Sequence, residues 1–128
     1  MIVEFPVPRC RHWSVSLADF WWQSLDYASR QSSLNGHQAE SDADGVFRGV
    51  IAHRDPGVPN WLDTTGYTEG SLAVRFLLAE APPKPSLRAV PFAALHDELP
   101  AGTRRVTPAE RAATLLARRR AVWRRFRR

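Results

Sequence analysis

Asp55-Pro56-Gly57-Val58-Pro59-Asn60-Trp61-Leu62-Asp63, followed by Thr64, Thr65 and Gly66, sets two prolines, a glycine, an asparagine and a large aromatic between two apolar stretches. Proline fixes φ, glycine admits positive φ, and asparagine ties its amide to nearby backbone, so this composition specifies one stiff loop. The run Val46 to His53 before it and the run Ser71 to Leu78 after it both have strand character. The stretch therefore reads as a fold-defining connection, with Asn60 and Trp61 locking two strands together.

Outward from that loop, most of the remaining pattern is β. In His12-Trp13-Ser14-Val15-Ser16-Leu17, Trp13, Val15 and Leu17 fall on one side and the serines on the other. Period-two alternation of this kind is a half-buried strand. In Ser71 to Leu78, Leu72, Val74, Phe76 and Leu78 share one face in the same way. Pro6 and Pro8 mark Met1 to Arg11 as an edge segment or lead-in, because proline cannot donate to a ladder. Asp19 to Tyr27 suits a strand edge or a short helical turn, Asn35-Gly36 and Asp42 to Gly45 are turn signals, and Gly49 marks a bulge or a close approach. Ala81-Pro82-Pro83-Lys84-Pro85 ends the strand before it, and Leu87 to Phe92 reads as a last edge strand. These alternating runs and dense turns predict an all-β, mainly antiparallel β-sandwich over residues 1–103.

Residues 104–128 differ in kind. Thr107-Pro108-Ala109-Glu110 has the spacing of a capping box with proline at the first helical position, predicting a C-terminal amphipathic α-helix. Ala112, Leu115, Leu116, Val122, Trp123 and Phe126 form an apolar stripe broken by Arg119. Residues 1–103 hold eight Lys and Arg against twelve Asp and Glu, a net −4, whereas residues 104–128 hold ten arginines against Glu110, a net +9. Attachment to nucleic acid or to an anionic membrane surface would rest on this tail, through Arg118, Arg119, Arg120, Arg124 and Arg125. Docking of the stripe on the acidic body, or against another subunit, with the arginines solvated, is the competing reading.

Cys10 is the one cysteine, so an internal disulfide, a redox pair and a four-cysteine zinc site are excluded. No apolar run has the length of a membrane helix and no basic start leads into an apolar signal core. A soluble, cytoplasmic protein is expected. His12, His37, His53 and His96 include no metal-pair spacing, and neither Gly-x-Ser-x-Gly nor a glycine-rich phosphate loop occurs. Neither metal nor cofactor is expected. His53 and Asp55 are the closest histidine and carboxylate, two positions apart, and would share one side of an extended strand. With Asn60, Trp61, Asp63 and Arg75 they make a candidate ligand pocket, against the plainer reading of a strand-end histidine and an aspartate capping the Pro-Gly turn. Trp21, Trp22 and Trp61 read as core or interface anchors, or else as walls of an aromatic pocket.

The order of Trp13-Ser14, Asp44-Gly45, Pro59-Asn60-Trp61-Leu62, Gly70 and Arg75-Phe76 resembles the bacterial domain-of-unknown-function family 1214 over about His12 to Pro85. That resemblance implies a jelly-roll-like sandwich, the carboxy-terminal part of two-domain proteins, with no assigned reaction. Members often carry proline after Asn-Trp-Leu, where this chain has Asp63. The expected function is a non-catalytic accessory or protein-interaction module, with a protein partner or a second copy of itself. The alternatives are a small-molecule binder or hydrolytic enzyme beside Trp61, and attachment to a polyanion through the tail.

Overall fold

The computed structural model describes residues 1–127. The strands are β1 (Ile2–Pro6), β2 (His12–Ala18), β3 (Ser33–Asn35), β4 (Val46–Ala52), β5 (Trp61–Asp63), β6 (Ser71–Leu77) and β7 (Ser86–Arg88), and helix α1 spans Pro108–Phe126. One sheet has the order β5-β4-β1-β7 and the other β3-β2-β6. They face each other across a core made of Val3, Phe5, Phe47 and Leu62 from the first, and Trp13, Val15, Leu17 and Leu34 from the second. The fold is thus an all-β sandwich with a C-terminal helix.

The alternation that predicted β2 is what builds this core. Trp13, Val15 and Leu17 are buried while the intervening residues are less so. Phe5 stands edge-on to Trp13 and Phe76 with ring centroids 5.3 and 5.2 Å apart, and Phe47 lies 4.9 Å from Trp13. Such pairs contribute about 1 kcal/mol each beyond the area they bury. Gly49 leaves β4 in regular register. A side chain there would meet the Phe47 ring at 2.8 Å, so the glycine serves close packing and makes no bulge.

Three elements differ from expectation. The N-terminal segment is no edge: β1 lies between β4 and β7. Pro6 is tolerated because it ends the strand, opposite Val46. Second, β4 and β5 pair in parallel, Val50 with Trp61 through Ala52 with Asp63, in an otherwise antiparallel architecture. Residues 53–60 make that connection, shorter than the about a dozen residues a parallel crossover usually takes. Third, Asp19 to Tyr27 forms tight turns closed by the Ala18–Ser24 bridge, and only Leu25 of its large apolar residues enters the core.

Helix α1 starts at the predicted capping box. The Thr107 hydroxyl accepts from the Glu110 backbone N–H at 3.2 Å, and the Glu110 carboxylate accepts from the Thr107 N–H at 2.7 Å. The inward face carries Arg111, Leu115, Arg118 and Val122, whereas Leu116, Trp123 and Phe126 point outward. The apolar stripe is therefore split. Two arginines share the docking face, because the body offers both of them acceptors, buried ones to Arg111.

Candidate functional site

The polar side chains of the 55–63 loop all have partners. Asn60 is buried, and its amide accepts from the Glu40 N–H at 2.9 Å while donating to the carbonyls of Glu40 and Arg48 at 2.6 and 3.1 Å. A side-chain amide here completes the backbone pairing that a longer strand would have made. Gln31, also buried, donates to the carbonyls of Pro59 and Trp61 at 2.9 and 2.7 Å. The Trp61 indole N–H donates to the Ala52 carbonyl at 2.9 Å, which holds its ring against the end of β4.

Arg111 closes this arrangement from the helix. It is 6% exposed. Its Nε donates to Asp55 Oδ2 at 2.8 Å, one terminal nitrogen donates to Gln31 Oε1 at 3.0 Å, and the other reaches Asp55 Oδ1 and the Val58 carbonyl. The guanidinium also lies 5.2 Å from the centre of the Trp61 ring, within cation–π range. Asp55 Oδ1 accepts in addition from the Gly57 N–H, and Gly57 takes a φ of +68° that favours glycine. One planar fork thus joins the helix, the loop and Gln31.

The six candidate pocket residues do not gather. Asp55 faces Arg111, while His53 Nδ1 is bonded to Thr64 Oγ1 at 2.6 Å, so the histidine and carboxylate do not form a pair. Asp63 is buried in an ion pair with Arg30 at 3.0 Å and accepts from the Thr65 N–H. Asn60 and Trp61 are occupied as described. Arg75 lies opposite Ser14 in the other sheet and is exposed on its outer surface. The i and i+2 argument fails because the chain leaves the extended conformation after Ala52. Sequence reasoning missed Arg111, Gln31, Arg30 and Thr64 as the partners. The one available signal was Arg111 sharing a helix face with Leu115, Arg118 and Val122.

Two clefts differ in how far their charges are committed, and in the first both arginines are paired. One of about 240 Å³ lies between residues 40–43 and residues 99–104. Its Arg48 bridges Glu4, Asp42 and Asp44, and its Arg104 bridges Glu40 and Glu110. Hydrogen bonding to Asp44 raises the pKa of Arg48 above its ordinary value and lowers that of Asp44. A second cleft, about 330 Å³, is mostly apolar, with Leu17, Leu25, Ile51, Leu72 and Leu87 on its walls. Among the described residues no group of three or more His, Cys, Asp or Glu is arranged to hold a metal ion.

Arg118 is separated from the other tail arginines. It donates to the Tyr27 carbonyl at 2.6 Å and to the Ser33 hydroxyl, and desolvation lowers its pKa below the usual guanidinium range. Arg119, Arg120, Arg124 and Arg125 are exposed. So are Trp21 and Trp22, at 77% and 73%, which removes both from the expected core and from any aromatic pocket. Asp19 Oδ1 accepts from the Trp21 and Gln23 N–H groups at 2.8 and 2.9 Å, and the Asp19 N–H donates to the Gln23 carbonyl. Trp22 is held at a φ of +65°, a conformation that costs about 1–2 kcal/mol outside glycine. Phe20 stands edge-on to Trp21, centroids 5.2 Å apart.

A crystal structure of an uncharacterized protein from Burkholderia cenocepacia matches this fold with a TM-score of 0.70 and 37% sequence identity, over 73% of this chain. The chain spans about a quarter of that protein, 26% of its length. No family model and no curated protein matches. No helix among the described residues is long and apolar enough to cross a membrane.

Proposed function

We propose that this chain is a non-catalytic protein-interaction module of the domain-of-unknown-function family 1214, jelly-roll-like and cytoplasmic, whose contact surface is the tip Phe20-Trp21-Trp22. The observation that carries this reading is the contrast between occupied polar groups and exposed aromatics. His53, Asp55, Asn60, Trp61 and Asp63 are all engaged within the fold, whereas three consecutive aromatics project from a turn that Asp19 rigidifies. Tryptophan binds partners strongly because it offers large apolar area at little conformational cost, and a pre-ordered turn lowers that cost further. Likeness to a much longer protein supports a domain that works beside others. The small-molecule and hydrolase alternatives lose support, since among the described residues no set of free polar groups converges beside Trp61.

The test compares the wild-type chain with a Trp21→Ala/Trp22→Ala variant of unchanged circular dichroism, in pull-downs from a bacterial lysate and in sedimentation velocity. A protein, or a second copy of the chain, retained by the wild type and lost by the variant is the expected result. A monomer that retains nothing in a tip-dependent way overturns the reading.

A further inference from the structure

The outward face of α1 is a second surface, independent of the tip. Leu116, Trp123 and Phe126 are separated by seven and three residues, which places them within one narrow arc of the helix. All three are exposed, Trp123 by 63% and Phe126 by 75%. Every residue from Trp123 to Arg127 is exposed. Arg120 and Arg124 follow on the flank of the arc, Arg119 lies within it, and residues 111–128 include no Asp or Glu. Arg119, Arg120, Arg124 and Arg125 make no ion pair among the described residues. The helix is meanwhile anchored to the body by Arg111 and Arg118, so the arc is displayed at a set angle.

We infer that this face is an attachment site for an anionic lipid surface, the helix lying in the headgroup layer with Leu116, Trp123 and Phe126 inserted and the arginines on lipid phosphates. Charge complementarity requires an anionic occupant, because the exposed face is cationic and no acidic side chain follows Glu110 in the sequence. The arc selects lipid over nucleic acid. Arginines alone would satisfy a phosphate backbone, whereas a leucine, a tryptophan and a phenylalanine on one stripe match the layered polarity of a bilayer interface. Long arginine side chains let Arg119 extend its charge outward from within the apolar arc.

The experiment uses the full chain with phosphatidylglycerol vesicles, phosphatidylcholine vesicles and a DNA duplex, read by co-sedimentation and tryptophan emission at low and high salt. Binding to phosphatidylglycerol but not phosphatidylcholine, weakening with salt, is expected. Trp123→Ser/Phe126→Ser should weaken it by about tenfold or more. Arg119→Gln/Arg120→Gln/Arg124→Gln/Arg125→Gln should abolish the preference for the anionic lipid. The inference is overturned if neither vesicle binds, if both bind alike, if Trp123→Ser/Phe126→Ser binds as the wild type does, or if the duplex binds and the vesicles do not.

Discussion

On one face of α1 Arg111 and Arg118 turn inward, and on the other faces Arg119, Arg120, Arg124 and Arg125 turn to water. The side chain is the same, but its energetics differ. Arg111 satisfies Asp55, Gln31 and the Val58 carbonyl together, so its removal leaves buried polar atoms without partners. The outer arginines leave nothing buried behind them. A planar fork with several donors is structural where acceptors converge in a dry site, and is available for binding where they do not.

That contrast is sharpest at Arg111. Arg111→Ala is expected to destabilise the fold by about 3 kcal/mol, toward the low end for a broken buried pair because Asp55 retains some contact with water. Arg111→Lys should recover only part, since an ammonium cannot reach both Asp55 and Gln31 in one plane. Urea denaturation measures both, and a loss below about 1 kcal/mol for Arg111→Ala would dissolve the distinction between inner and outer arginines.

A smaller effect is expected at the start of the helix. The Thr107 backbone N–H, and then its hydroxyl, hold the Glu110 carboxyl below the ordinary glutamate range, with Arg104 adding to this. A carboxylate whose folded pKa is depressed contributes stability that is complete above its unfolded value and is lost as pH falls through the folded one. Helicity should therefore decline on acidification below about pH 4, and Glu110→Gln should flatten this part of the curve, as followed by circular dichroism. The smallest effect belongs to the outer arginines. Arg124→Ala/Arg125→Ala should change stability by less than about 0.5 kcal/mol, and a larger loss in urea would mean that these side chains support the fold.

Much of the sandwich was legible locally. The alternation in β2, and in β6 as far as Phe76, assigns their inner faces, since strand side chains alternate with a period of two. Leu78, expected on the same face, lies beyond β6 at a φ of +54° and is 72% exposed. The Thr107 to Glu110 spacing marks the helix start because capping is a contact between neighbours. The candidate pocket was not legible. Asp55 and His53 are two positions apart in sequence but find partners 56 and 11 positions away. Trp21 and Trp22 illustrate a related failure: an apolar side chain is a candidate for burial anywhere, and only the turn held by Asp19 determines that both project outward.

By itself the sequence determined the period-two faces, the stiffness of residues 55–63, the helix cap and the charge split between body and tail. Each follows from local geometry or composition. The tertiary structure alone decided the interior place of β1, the parallel pairing of β4 with β5, the burial of Arg111 and the exposure of the Leu116, Trp123 and Phe126 arc. Those outcomes depend on which distant acceptors and apolar surfaces meet once the sheets pack, and a one-dimensional pattern does not carry that information.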